Sequence, residues 1–190
     1  MRIITGSLRG RRLKSPKNND VRPSSDRVKE AMFDMLYPYI YDGMVCMDVF
    51  AGSGNLGLEA ISRGAKRVFF SDNSRDSLGL VKENVKYCQV EDNAIYLSGD
   101  FKANIKRVHE TIDIFFLDPP YAARLVPEAV KTIVETGNLA ENGVIVCEHS
   151  HKDELPEELC GLKAIKSRRY GGICVTIYAN QFSSDKEENS

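Results

Sequence analysis

The chain has 190 residues, 42% of them hydrophobic and 28% charged, so it can bury a full core and suits a single globular domain. No apolar run approaches the roughly 18 residues that a membrane-spanning helix needs, and the N-terminus lacks the apolar core of a signal peptide, so we expect a cytoplasmic protein. The five cysteines are scattered without C-x-x-C spacing, which argues against a disulfide framework or a zinc site.

The net charge of −1 is unevenly distributed along the chain. Residues 1–30 carry nine Lys or Arg and three acids, a local charge of +6, which leaves −7 for the other residues. A basic segment on an acidic body is typical of proteins that bind a phosphate-rich polymer. The alternative is a basic segment that is only solvated.

The N-terminal residues predict a basic hairpin followed by a helix. Residues 2–5 and 11–13 can pair as two short strands around a turn that contains Gly6 and Gly10. A helix capped by Ser24 or Ser25 follows and ends at Pro38, and its apolar face consists of Val28, Ala31, Met32, Met35 and Leu36. Arg27 and Lys29 lie off that face and can point to a ligand or to water. We assign residues 1–40 to this extension.

Strands and helices alternate through the rest of the chain. Strands are predicted at 44–48, 67–71, 94–98, 112–117 and 143–147, and helices at 55–62, 77–87, 101–108 and 126–134. This alternation predicts an α/β fold whose parallel sheet is covered on both faces. The runs 162–169 and 173–179 then predict an antiparallel hairpin at the sheet edge, unlike the dinucleotide-binding fold. The main domain would span residues 41–182, followed by a disordered tail at 183–190.

The first strand of the predicted sheet leads into a glycine turn. Glycine lets the backbone approach a ligand closely, and the residues concerned are Asp48, Phe50, Ala51, Gly52, Ser53 and Gly54. Gly52, Gly54 and Gly57 match G-x-G-x-x-G, and an acid follows about 20 residues later, as in a dinucleotide site. The competing interpretation is a site for S-adenosylmethionine (SAM).

Four predicted strands end in aspartates, namely Asp48, Asp72, Asp100 and Asp118. The carboxyl ends of parallel strands meet at one edge of a sheet, where such folds bind ligands. SAM is cationic and suits four carboxylates, which would repel a pyrophosphate. Each aspartate alone can be a turn former, but four matching positions favour a ligand. We expect Asp72 to form hydrogen bonds with the ribose hydroxyls and Asn73 to contact the cofactor. Asp100 and Phe101 are expected on either side of the adenine.

The sequence Asp118-Pro119-Pro120-Tyr121 follows the most apolar strand. Its two prolines fix the backbone and remove two N–H donors, so the loop presents the Asp118 carboxylate and the Pro119 carbonyl as acceptors. Such acceptors suit an exocyclic amine, guanine N2 or adenine N6, and would make its nitrogen more nucleophilic. Tyr121 offers a face for an unstacked base. The alternative is an ordinary rigid turn.

These motifs resemble those of a known family. Residues 116–121 resemble motif IV of amino-group methyltransferases, and residues 48–54 resemble their motif I. Together with residues 1–4, 9–11, 22–23, 26–33 and 148–150, they are similar to the bacterial RsmD family, which methylates a guanine N2 in small-subunit (16S) ribosomal RNA. The resemblance covers residues 1 to about 180. It has two departures, Asp72 where Glu is common and Asn55 where Ala is common.

The resemblance implies a seven-stranded, Rossmann-like, SAM-dependent RNA (guanine-N2)-methyltransferase. Asp118, Pro119, Pro120 and Tyr121 would be catalytic, with direct transfer and no cysteine intermediate, because an amine needs no covalent activation. We expect a monomer without a metal whose partner is 16S rRNA or the assembling small subunit. The alternatives are a DNA adenine-N6 methyltransferase and a non-catalytic SAM- or RNA-binding module.

Basic residues at both ends of the chain are the expected phosphate contacts. They are Arg2, Arg9, Arg11, Arg12, Lys14, Arg22, Arg27, Arg168 and Arg169. The sequence shows no second domain that would read DNA in the major groove. RNA, which can present an unstacked base in a loop, is therefore the favoured substrate.

Overall fold

The computed structural model describes residues 1–15, 23–120 and 122–180. Its helices are α1 (Pro23–Met35), α2 (Asn55–Ser62), α3 (Arg75–Cys88), α4 (Phe101–Arg107) and α5 (Ala122–Thr136). Its strands are β1 (Val45–Asp48), β2 (Arg67–Asp72), β3 (Ala94–Ser98), β4 (Ile112–Leu117), β5 (Leu139–Ser150), β6 (Glu158–Leu159), β7 (Leu162–Tyr170) and β8 (Ile173–Asn180). Within these ranges, no helix is both long enough and apolar enough to cross a bilayer.

All the strands form one sheet in the order β3-β2-β1-β4-β5-β8-β7-β6. The first five strands are parallel, and β8 pairs antiparallel with both β5 and β7. The predicted α/β fold and its closing antiparallel hairpin are thus confirmed. The described sheet has eight strands and not seven, because β6 adds two residues to the outer edge of β7. A two-residue strand is too short to leave a periodic pattern in the sequence.

Helices pack on both faces of the sheet. On the first face, α1, α2, α3 and the N-terminal hairpin cover one row of strand side chains, which includes Cys46, Phe116 and Val146. On the second face, α4 and α5 cover the alternate row, which includes Met47, Phe115 and Cys147. The alternation along each strand therefore assigns every strand-end side chain to one face or the other.

The N-terminal hairpin differs from the predicted pair of strands. It contains a single antiparallel bridge, between Arg2 and Arg12. The backbone N–H groups of Ile4 and Thr5 donate instead to the carboxylate of Glu59, over 2.8 Å and 3.1 Å. Backbone hydrogen bonds from Ile3 to Arg11, from Gly10 to Ile3 and from Leu13 to Met1 still join the two segments, so the predicted hairpin forms without a longer regular ladder.

The hairpin rests directly on the C-terminal end of α2. Gly6 has a φ of +87°, and a Cβ atom there would overlap the backbone carbonyl of Ser62. The N–H of Ser7 donates to that carbonyl over 2.8 Å, and the N–H of Leu8 donates to the Ser62 hydroxyl over 3.0 Å. Leu8 is buried in the core of the first face. Glycine is therefore required at the turn by both its conformation and its contact.

A buried group of charges joins the hairpin, α1 and α2. The carboxylate of Glu59 is fully buried and lies 3.1 Å from the Lys29 ammonium and 2.9 Å from Nε of Arg63. Lys29 is 2% exposed, although the sequence suggested a side chain directed to a ligand or to water. Burial lowers the pKa of Lys29, and Glu59 opposes this shift. The sequence could not show this pairing because the partner is on a different helix.

Candidate active site

A cleft of about 750 Å³ lies at the carboxyl edge of the parallel strands. Residues at or just after the carboxyl ends of β1, β2, β3 and β4 line it together with Glu148 of β5, as expected for an open α/β sheet. Most of the predicted cofactor and catalytic residues are among them, namely Asp48, Phe50, Ala51, Gly52, Ser53, Asp72, Asn73, Asp100, Phe101, Asp118, Pro119 and Pro120. Tyr121 is outside the described residues.

A further cavity, of about 570 Å³, lies at the opposite edge of the sheet. It is formed by the connections that precede β4 and β5, and its lining includes His109, Glu110 and Asn138. It contains none of the predicted site residues. The carboxyl-edge cleft is therefore the candidate active site.

The glycines of the β1–α2 loop, Gly52 and Gly54, and Gly57 in the first turn of α2 have different roles. Gly52 has a φ of +54°, and a Cβ there would meet only the Phe50 carbonyl oxygen, at 4.0 Å, so its side toward the cleft is open. Gly54 has a φ of +79° and packs close to Val81, and a Cβ at Gly57 would overlap the ring of Phe70. Gly52 thus leaves room for a ligand, whereas Gly54 and Gly57 allow close packing of the loop and α2.

Two of the strand-end aspartates hold the loops that surround the cleft. Asp48 accepts the N–H of Gly57 over 3.1 Å, at the start of α2. Asp72 accepts the N–H of Gly52 over 2.9 Å through one oxygen, and that of Ser74 over 2.8 Å through the other. Their carboxylates therefore preorganise the glycine loop while lining the cleft.

Asp100 and an aromatic pair form the side of the cleft beyond β3. Asp100 caps α4, because its carboxylate accepts the N–H groups of Lys102 and Ala103 over 3.0 Å and 3.1 Å. The rings of Phe50 and Phe101 lie next to each other, with centroids 5.2 Å apart. This side of the cleft offers two aromatic rings, tilted by 47° to each other, beside a carboxylate.

Burial changes the protonation of Asp48. The carboxyl group is 1% exposed, and burial raises its pKa to about 7, assisted by the negative charges of Asp118 and Asp72. The hydrogen bond from Gly57 acts in the opposite direction. A cation in the cleft would favour the ionised form, so the site is suited to a positively charged ligand.

Asp118, directly after β4, lies next to Glu148 near the carboxyl end of β5. The strand register pairs Leu117 with Cys147. Asp118 follows Leu117 and Glu148 follows Cys147, so the two carboxyl residues are neighbours across adjacent strands. Burial raises the pKa of both carboxyl groups, and the charge of Asp118 contributes to the shift at Glu148. Neither carboxylate accepts a hydrogen bond from another described residue. The Asp118 side chain is exposed to the cleft, but the protein atoms around it still exclude enough water to raise the pKa of its carboxyl.

Glu148 is absent from the residues that the sequence assigned to the site. It lines the cleft all the same, and the rule that selected the aspartates would have found it, because it follows the predicted strand at 143–147. Lys29 and Asn55 also line the cleft. The Lys29 ammonium donates to the Asn55 side-chain oxygen over 2.7 Å, so these two residues support the wall next to the hairpin.

Several predicted phosphate contacts already have protein partners. Arg11 donates to the Tyr87 carbonyl over 3.0 Å, and Lys14 lies 2.9 Å from the Glu83 carboxylate. Arg2 lies 3.8 Å from Asp26, and Arg169 donates to the Gly171 carbonyl over 2.8 Å. Other predicted contacts are exposed and make no ion pair within the described ranges, namely Arg9, Arg12, Arg27 and Arg168. Arg22 is outside the described residues.

Within the described ranges, no group of three or more His, Cys, Asp or Glu side chains could hold a metal ion. None of the five cysteines is among the residues that line the cleft there.

Comparison with known proteins identifies the family. The model of the family described as conserved hypothetical protein 95 matches residues 1–179. The chain belongs to this family. A Haemophilus influenzae relative named ribosomal RNA small subunit methyltransferase D is 36% identical over 188 residues, covering 95% of this chain and 94% of the relative. The Escherichia coli K12 protein of the same name is 29% identical over 187 residues, covering 98% and 93%.

Other members of the family agree with this assignment. The Bacillus subtilis protein YlbH, provisionally described as an rRNA methyltransferase, is 38% identical over 181 residues, covering 94% of this chain and 98% of the relative. The solved structure of Escherichia coli yhhF, provisionally described as a methyltransferase, superposes with a TM-score of 0.82 at 30% identity, covering 94% and 96%. The resemblance to the RsmD family and the methyltransferase fold are therefore confirmed.

Proposed function

We propose that this chain transfers a methyl group from SAM to the exocyclic N2 amine of a guanine in 16S rRNA. The observation that carries the proposal is the position of Asp118 and Pro119, which open into the same cleft as the glycine loop. The names of the family members support rRNA as the substrate. With this substrate we expect a monomeric protein in the cytoplasm that acts on 16S rRNA or the assembling small subunit.

The cleft fits SAM at three places. The open side of Gly52 gives the loop from Phe50 to Gly54 room for the methionine part, and Asp72 is available for the ribose hydroxyls. Asp100 and the pair of phenylalanine rings suit the adenine. The carboxylates around the cleft match a ligand that carries a sulfonium and an ammonium. Both oxygens of Asp72 already accept backbone N–H groups, so ribose bonds would use their remaining lone pairs.

The residues of the β4 loop would position and activate the amine. The Asp118 carboxylate and the Pro119 carbonyl accept the two N2–H bonds, which directs the nitrogen lone pair toward the cofactor. SAM supplies a methyl group whose S–C bond breaks as the N–C bond forms, leaving S-adenosylhomocysteine. The amine then loses one proton, and the raised pKa of Asp118 allows its carboxylate to accept that proton before it passes to water. We assign stacking of the base to Pro120 and Tyr121.

The basic residues near both ends of the chain would bind phosphates. Arg9, Arg12, Arg27 and Arg168 are exposed and free within the described part of the chain, so they are the first candidates. Arg2, Arg11, Lys14 and Arg169 would have to share or exchange their present partners. These contacts supply affinity and orientation without reading the base. Replacing Arg9 and Arg12 by Ala should reduce the salt dependence of RNA binding.

Methyl transfer tests the proposal directly. Labelled SAM would be incubated with 16S rRNA, assembled small subunits and duplex DNA, and the product nucleosides identified. N2-methylguanosine from rRNA or the subunit is the expected product. N6-methyladenine in DNA as the sole product would refute the substrate assignment. If nothing is methylated although RNA and SAM bind, the protein is a non-catalytic binding module.

An alanine at position 118 separates catalysis from cofactor binding. Asp118→Ala should abolish most transfer while calorimetry shows nearly unchanged affinity for SAM. The matched control is Asp92→Ala, an exposed carboxyl residue that precedes β3 and does not line the cleft, which should leave both properties unchanged. Loss of SAM binding in Asp118→Ala, with turnover restored at saturating SAM, would assign Asp118 to the cofactor.

A further inference from the structure

The carboxyl group of Glu148 has no assigned role in the transfer described above. It lines the cleft beside Asp118, and the pairing of Leu117 with Cys147 makes the two acids neighbours across adjacent strands. Neighbouring strands are about 4.8 Å apart, so one planar base can meet both carboxylates. By alternation from Phe116 and Val146, both carboxyl groups extend the row of the first face.

Guanine and adenine differ at the ring nitrogen next to the reacting amine. Guanine presents its N1–H donor beside the N2 amine, so this part of its edge consists only of donors. Adenine presents N1 as an acceptor beside the N6 amine. Burial raises the pKa of the Glu148 carboxyl, so its ionised form depends on a donor beside it, which guanine N1–H supplies and adenine N1 does not. The ionised carboxylate accepts hydrogen bonds only, and it would face an adenine N1 with two electron-rich atoms opposed. A second carboxylate beside the Asp118 loop therefore favours guanine.

We propose that Glu148 determines base specificity by accepting the N1–H of the target guanine, while Asp118 and Pro119 accept the N2–H groups. This inference rests on the proposed function, because it assumes that a guanine amine is the methyl acceptor. It assigns to Glu148 the choice of base and to Asp118 the activation of the amine. Glu148 makes no hydrogen bond to another described residue, so its oxygens are available for this contact.

The test replaces the target guanine by a base that lacks the N1–H donor and has an amino group in place of O6. The methylated guanosine would first be mapped with the wild-type enzyme, and RNA would then be ligated with 2,6-diaminopurine riboside at that position only. This base keeps the N2 amine but has an acceptor at N1. At about pH 9, above the pKa of about 8 of the Glu148 carboxyl, we expect wild-type kcat/KM to fall by about 10- to 100-fold with diaminopurine. A hydrogen bond to a charged group is then lost and the Glu148 carboxylate is left unpaired.

Glu148→Gln provides the reciprocal change in the protein. The glutamine amide can donate to the diaminopurine N1, which the Glu148 carboxylate cannot do, so the preference for guanine should shrink at least about tenfold or reverse. The matched control is Glu154→Gln, an exposed glutamate that does not line the cleft, which should keep the wild-type preference. SAM affinity and melting temperature would establish that each variant is folded.

The possible results separate this inference from the proposed function. Equal wild-type rates on the two RNAs, or an unchanged preference in Glu148→Gln, would overturn the role of Glu148. If Glu148→Gln methylates neither RNA, the Kd values of both RNAs are measured with both proteins. A wild-type Kd that is equal for the two RNAs, or a guanine preference in Kd that is unchanged in Glu148→Gln, would then overturn the role of Glu148. Absence of N2-methylguanosine from wild-type reactions on natural rRNA would instead refute the proposed function itself.

Discussion

Replacing Asp48 by Asn should change how the stability of the protein depends on pH. The pKa of the buried carboxyl is about 7 in the folded protein, against about 3.9 in an unfolded chain. Between these values, the folded protein keeps a proton that the unfolded chain has released. The free energy of unfolding therefore falls as the pH rises through this window. A difference of roughly three pKa units corresponds to about 4 kcal/mol, because each unit is worth about 1.4 kcal/mol.

Asparagine removes this titration but keeps an acceptor for the N–H of Gly57. Its amide also brings buried donors, which cost about 1–3 kcal/mol at every pH. Relative to wild type, Asp48→Asn should thus be less stable by about 1–3 kcal/mol near pH 4 and more stable by a similar amount near pH 8. The cost of burying the amide is the same at both pH values. The shift of the stability difference between about pH 4 and about pH 8 therefore reports only the titration of Asp48.

Urea unfolding of both proteins without SAM, in steps between about pH 4 and about pH 8, measures this change. Asp92→Asn, at an exposed carboxyl, is the matched control and should follow wild type throughout. Asp118 and Glu148 also contribute to the pH dependence of the free energy of unfolding. Their contribution is present in all three proteins and is removed when the proteins are compared. A stability difference between Asp48→Asn and wild type that varied by less than about 1 kcal/mol over the range would refute the reasoning.

Other substitutions test the packing and the electrostatics that position the cleft. Gly57→Ala should destabilise the fold by roughly 1–3 kcal/mol in urea, because a Cβ would lie 2.8 Å from Cζ of the Phe70 ring. Gly79→Ala, in α3 with no atom near the new Cβ, should stabilise by about 0.5–1 kcal/mol, and similar effects of the two changes would contradict the packing argument. Glu59→Gln should destabilise by about 3–5 kcal/mol, since it leaves the buried Lys29 ammonium without its counter-charge; a loss below about 1 kcal/mol would show that the pair is not needed. The affinity for SAM relative to S-adenosylhomocysteine should rise from about pH 6 to about pH 8 in calorimetry, as the cleft carboxyls ionise, and a constant ratio would argue against their contact with the sulfonium.

Local patterns in the sequence determined the elements and much of the site. The strands β3 and β4 and the helix α2 have the predicted bounds, because their apolar runs and flanking turn residues are local signals. The loop after Asp48 and the acceptors at Asp118 and Pro119 were also predicted, because a parallel sheet brings all its carboxyl ends to one edge. Connectivity alone therefore indicated which polar residues would share a cleft.

Contacts between distant segments were decided only by the tertiary structure. Lys29 had the position of a surface residue on an amphipathic helix, yet it is buried because Glu59 lies opposite it on another helix. Glu148 became a neighbour of Asp118 through the register of β4 and β5, which depends on the packing of both faces of the sheet. Neither pairing has a periodic signature, since each joins residues whose separation along the chain is set by the fold and not by a local repeat.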